Sequence, residues 1–146
     1  MIIRHDAVVL VADGKKYLLL RNSGAIGQPQ LTYEGGGGQE NPATAQQGTD
    51  QPGRAFGSGP GRSAMDQTDF HQIAEDRFAA HVAGLLGRLA DAGDYEELIV
   101  VAPPRCLAEL REHFEPAVAR RIVAEVPKDL TKHPVGEIAD ILGRDS

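Results

Sequence analysis

Leu98-Ile-Val-Val-Ala102 is five apolar residues in a row with no polar residue among them. A strand with one face in water alternates apolar and polar, whereas one covered on both faces does not. This run therefore predicts a central parallel strand with helices on both sides, which restricts the chain to an α/β architecture. Pro103-Pro104 stops the run and opens a helix through about His113, because proline is tolerated in a first helical turn. A short helix around Pro116 to Arg120 leads into a second such strand, Ile122-Val-Ala-Glu-Val126, which Pro127 ends. Pro134 opens a last helix through Leu142.

The opening of the chain reads differently. Ala7-Val-Val-Leu-Val-Ala12 and Lys16-Tyr-Leu-Leu-Leu-Arg21 flank Asp13-Gly14, and Asp-Gly between two such runs signals a hairpin. Asn22-Ser-Gly24 turns the chain again, and Gln30-Leu-Thr-Tyr-Glu34 reads as a third strand of an antiparallel meander. From Asp66 or Asp69 to about Ala92 the period becomes helical. Phe70, Ile73, Ala74, Phe78, Val82, Leu85, Leu86 and Leu89 form one stripe, the two aspartates serve as caps, and Gly93 is the stop. Right-handed crossovers then place the last two strands parallel to the first, on the side away from the hairpin. The prediction is a five-stranded mixed sheet, an antiparallel meander plus two parallel strands, with helices on both faces, as in ribonuclease H-like folds.

Residues 1–146 are enough for one self-sufficient domain, interrupted by a Gly-, Gln- and Pro-rich segment at about 34–65. Loops this long are uncommon in compact domains and tend to be functional or disordered. Gly35 to Gly38 are expected to begin this loop, because four glycines carry a large ordering entropy. Arg54 and Arg62 are its only cations, and glycine-flanked guanidinium groups suit phosphate. The segment lacks the Gly-x-x-x-x-Gly-Lys spacing of a nucleotide-binding P-loop, and no cofactor is expected.

In such a sheet the first, fourth and fifth strands end on one edge, where ligands of open α/β sheets bind. The loops there carry Asp13, Arg105, Lys128, Asp129, Thr131 and Lys132. One reading is an edge that binds phosphate or carboxylate. The other is that Asp13 shapes a turn and the two lysines are solvated loop charges beside Asp129. Cys106, in the first turn of a helix, is either an activated thiol or a small packed side chain. His71 and Glu75 share a helix face without a second pair of ligands, so no metal is expected.

A net charge of −6 argues against a surface that attracts phosphate everywhere, though it permits a local basic patch. The N-terminal apolar run is too short for a secretory signal or a membrane span, and a lone cysteine suits a reducing compartment. A cytoplasmic protein without membrane insertion is the expectation.

Val9-Leu-Val-Ala-Asp-Gly14, Pro52-Gly-Arg54, Gly59-Pro-Gly-Arg62, Val101-Ala-Pro-Pro-Arg105 and Lys128-Asp-Leu-Thr-Lys132 together resemble the bacterial host-attachment protein family. That family is similar to the middle domain of archaeal and eukaryotic class 1 peptide-release factors. Such a domain has the topology derived above and presents a Gly-Gly-Gln loop before its long helix to promote peptidyl-tRNA hydrolysis. Here a literal Gly37-Gly38-Gln39 lies far from the helix, and in Gly59-Pro-Gly-Arg62-Ser-Ala-Met65 an arginine stands where the glutamine would be. The resemblance thus implies a non-catalytic binding module for RNA or the ribosome, with an indirect effect on attachment to host cells. The alternative is a hydrolase of an ester or phosphoester such as peptidyl-tRNA, with Arg62 and the strand-end cluster stabilising developing negative charge.

Overall fold

The structure is a computed structural model that describes residues 1–25, 28–38 and 64–144, the last stretch with side chains from His71 onward. Its strands are β1 (Val8–Ala12), β2 (Lys16–Asn22), β3 (Leu31–Gly38), β4 (Leu98–Val101) and β5 (Ile122–Val126). The helices are α1 (Ala64–Asp91), α2 (Pro104–His113), α3 (Pro116–Ala119) and α4 (Val135–Arg144). The sheet order is β3-β2-β1-β4-β5. β1 pairs antiparallel with β2 and parallel with β4, and β4 pairs parallel with β5. This is the mixed α/β sheet expected from the sequence.

The unbroken apolar runs are explained by the two layers that cover them. Val8, Leu10, Leu98 and Val100 face Phe78, Val82 and Leu86 of α1 with Leu107 and Leu110 of α2. Val9, Val11, Ile99 and Val101 face Ile138 and Leu142 of α4. Side chains of this size each contribute about 1.5–3 kcal/mol when fully buried, so both faces of β1 and β4 are committed to core. α1 ends as its glycine predicts. Gly93 takes φ +72°, its N–H reaches the Ala90 carbonyl, and the Asp94 N–H reaches Leu89, a paired Schellman closure.

Three expectations are corrected. Gly35–Gly38 do not begin a loop; they extend β3 and pair with Leu19 back to Lys16. Backbone hydrogen bonds to β2 outweigh the glycine entropy there, and the irregular segment starts after Gly38. α1 begins at Ala64, ahead of both aspartates proposed as caps. Ile73 leaves the apolar stripe: it is 50% exposed and lines an open recess between α1 and the ends of β2 and β3.

Two polar residues fix the meander. Asn22 is fully buried; its amide donates to the Ile3 and Arg4 carbonyls and accepts from the Gly24 and Gln30 N–H groups. The β2–β3 register slips between Leu19 and Leu20, leaving Glu34 as the extra residue of a bulge. Arg21 holds Glu34 at 2.9 Å and Asp94 at 2.8 Å, joining β3 to the turn after α1. The Glu34 hydrogen bond, ahead of the opposing burial, raises the Arg21 pKa.

Candidate functional site

The edge formed by the ends of β1, β4 and β5 gathers several of the expected residues. Gly14 takes φ +93° in the hairpin turn, and Asp13 Oδ1 accepts the N–H groups of Lys15 and Lys16, both at 2.8 Å. Asp13 Oδ2 meets the Thr131 hydroxyl at 3.0 Å, and Asp129 Oδ1 meets the same hydroxyl at 2.8 Å. Thr131 is buried and owns one hydroxyl proton. It therefore donates to one carboxylate at a time while the other faces its lone pairs. Both acids are thus spent on holding the β1 turn against the loop after β5.

Arg105 is drawn elsewhere. Its guanidinium lies 3.7 Å from Glu75 of α1 and 3.9 Å from Glu109 of α2, and it hydrogen-bonds Gln72. One turn further on, His113 meets Asp76 at 2.9 Å. This polar seam joins α1 to α2 along their exposed edge. Burial, then the nearby Glu75 carboxylate, raises the Glu109 pKa despite Arg105.

Cys106 is buried beneath this seam. Burial first, with the Glu109 and Asp13 charges adding, pushes its thiol up to about 12. It is the packed cysteine of the two sequence readings, since only a thiolate is nucleophilic. Among the described residues no group of three or more His, Cys, Asp or Glu could hold a metal ion, and no helix is long and apolar enough to cross a membrane.

Beside the edge, a recess of about 1180 Å³ lies between the N-terminal part of α1 and the projecting ends of β2 and β3. Asp13, Asp129 and Lys132 line it, joined by Lys15, Lys16 and Arg77, which sequence reasoning missed. Lys128 is exposed on the same loop as Lys132 but is not among the lining residues. Two tyrosines contribute: Tyr17, which packs on Phe78 at 6.2 Å between ring centres, and Tyr33, 55% exposed. The one available signal for this wall was Lys15-Lys16 directly after Asp-Gly, where two cations on a tight turn must both face outward.

The recess carries both signs of charge. Glu75 is paired with Arg105, while Asp13 and Asp129 are held in place by the neutral Thr131 hydroxyl and keep their charge. Elsewhere Arg4, Arg21 and Arg111 are committed to carboxylates. Lys15, Lys16, Arg77 and Lys132 are exposed and, among the described residues, have no carboxylate partner.

Arg54, Arg62 and the stretch from Gly59 to Ser63 lie outside the described residues. Gly37 and Gly38 belong to β3, so the literal Gly-Gly-Gln begins inside a paired strand. The family model of bacterial archaeo-eukaryotic release factor family 12 matches residues 6–142. A comparison with curated proteins finds no match.

Proposed function

The chain belongs to bacterial archaeo-eukaryotic release factor family 12, and from that premise we propose a non-catalytic module that binds RNA on the translation apparatus. The observation that carries this reading is the set of four cations around one recess that, among the described residues, have no carboxylate partner. Exposed bases without acid partners are free to replace the counterions of a phosphate chain, which makes binding salt-dependent. The non-catalytic part rests on the described side chains: the Thr131 hydroxyl is buried against two carboxylates and the Cys106 thiol is protonated. Lys128 beside the recess and the two arginines of the 34–65 segment are further candidate contacts. An effect on attachment to host cells would then be indirect and its location cytoplasmic, which fractionation tests.

The test is binding of labelled RNA and co-sedimentation with ribosomes at low salt, comparing the wild type with Lys15→Ala/Lys16→Ala/Lys132→Ala. With about 0.7 per phosphate contact for single strands, the triple variant should lower the log–log salt slope by roughly 2. If the wild type neither binds RNA nor sediments with ribosomes, the proposal fails. A pull-down comparing wild type with Arg54→Ala/Arg62→Ala tests the irregular segment separately.

A further inference from the structure

We infer that the recess takes an unpaired RNA strand and that Tyr33 is the platform on which one of its bases stacks; this rests on the RNA-binding reading above. The three tyrosines of the chain are used in three ways. Tyr95 is buried and donates its hydroxyl to the Leu86 carbonyl at 3.0 Å. Tyr17 is half-buried and packs on Phe78. Tyr33 is 55% exposed and, among the described residues, its hydroxyl has no hydrogen-bond partner.

The glycines of β3 are what leave that ring open. A Cβ placed on Gly36 would sit 3.0 Å from the Tyr33 hydroxyl and 3.4 Å from its Cε1, so the ring lies along the strand over bare backbone. Gly36, Gly37 and Gly38 offer no side chain to cover it. An exposed aromatic within the same recess as Lys15, Lys16, Arg77 and Lys132 pairs a stacking surface with phosphate-seeking charge, the combination by which single-stranded nucleic acid is held. The strand must be unpaired. A recess of about 1180 Å³ is the scale of a small-ligand site and admits a few nucleotides. In a duplex the base faces are already stacked on one another.

The experiment uses the full chain and fluorescence anisotropy with a labelled uridine oligomer and an RNA hairpin of equal length. The oligomer should bind more tightly than the hairpin. Tyr33→Ala should weaken oligomer binding on the order of tenfold with the salt slope unchanged. Tyr33→Phe should retain affinity. Lys16→Ala should instead lower the slope by about 0.7. With no Trp in the chain, tyrosine emission is a direct probe: binding should quench it, and the quench should shrink in Tyr33→Phe to the share owed to Tyr17, which lines the same recess. Because Tyr33 is on the surface, equal thermal midpoints for both variants keep a folding defect out of the comparison. Wild-type affinity in Tyr33→Ala, equal affinity for the hairpin, or competition by uridine monophosphate as strong as by the oligomer would each overturn the inference. If wild type binds RNA and Lys16→Ala weakens it while Tyr33→Ala does not, only the stacking platform falls. If wild type binds no RNA, the underlying function falls too.

Discussion

Asp13→Asn should be nearly silent for stability where Asp13→Ala is not. In the native turn Oδ1 accepts two N–H groups at 2.8 Å while Oδ2 shares one hydroxyl proton of Thr131 with Asp129. A hydrogen bond to a charged group contributes roughly 1.5–3 kcal/mol. Asp13 is only half-buried and the lysine amides it holds are on the surface, where water competes, so about 1–1.5 kcal/mol each is the apt scale. Alanine removes both and should cost about 2–3 kcal/mol. Asparagine keeps the Oδ1 geometry, and its Nδ2 donates to Thr131 Oγ1, which frees the threonine proton for Asp129. The weaker turn bonds and the resolved three-way contact offset each other to within about 1 kcal/mol. Urea unfolding followed by far-UV circular dichroism reads this directly. At a slope of about 2 kcal/mol per molar the alanine variant should lose roughly 1 M in midpoint and the asparagine variant less than half of that. A double-mutant cycle of Asp13→Asn with Thr131→Val should show coupling above about 0.5 kcal/mol. An Asn variant as unstable as the Ala variant would refute the reasoning, because negative charge rather than acceptor placement would then be holding the turn.

Gly36→Ala brings a Cβ within 2.6 Å of the Tyr17 carbonyl oxygen, a backbone atom that cannot swing away, and should cost about 1–3 kcal/mol; Gly35→Ala, with nothing within 4 Å, is the matched control for thermal midpoints. Cys106 should resist thiol reagents in the native protein and react at full rate in denaturant. Because its folded pKa of about 12 lies above the unfolded value near 8.5, its contribution to stability is complete below pH ~8.5 and is lost as pH rises toward 12, a loss that Cys106→Ala should reduce in a pH series of midpoints. Glu109→Gln obeys the same sign. The folded pKa is raised, so ionisation opposes folding above the unfolded value near 4.3, and the variant should gain on wild type between pH 4 and 7; an unchanged difference would show that the Arg105 contact cancels burial, and a loss that it outweighs it. Arg21→Met should lower stability by about 1 kcal/mol, since Glu34 and Asp94 are exposed enough for water to replace the guanidinium, and calorimetry checks it.

The sheet was legible because its signal is a simple one. Leu98 to Ala102 lacks alternation since α1 and α4 cover opposite faces of β4, and Asp13-Gly14 marks the hairpin because only glycine adopts φ +93° without strain. The misreadings share a physical cause, which is that tertiary partners override local preference. Gly35–Gly38 look unstructured until β2 supplies their hydrogen bonds. Ile73 continues a helical stripe with no means of indicating that α1 stands off from β2 and β3 across a recess there. Arg105 sits at a helix start that favours an anion, but the anion it meets is Glu75 on a helix 30 residues away in sequence. Asn22 reads as a turn residue and is instead a four-way anchor, since its partners on either side only become neighbours in the fold. At the edge, Asp13, Asp129 and Lys132 were found from strand ends, whereas Arg77 and Tyr33 required knowing which way α1 and β3 project.

Among the described residues β3 hydrogen-bonds on one side only, to β2, so its outer margin displays a row of open amides. A margin of that kind invites a second chain to add a strand. Here the invitation is weak. The bulge at Glu34 breaks the regular spacing that a newcomer would copy, and the four glycines beyond it offer no side chains for cross-strand contacts. The sequence that keeps Tyr33 uncovered thereby also leaves the border of the sheet a poor template for self-assembly.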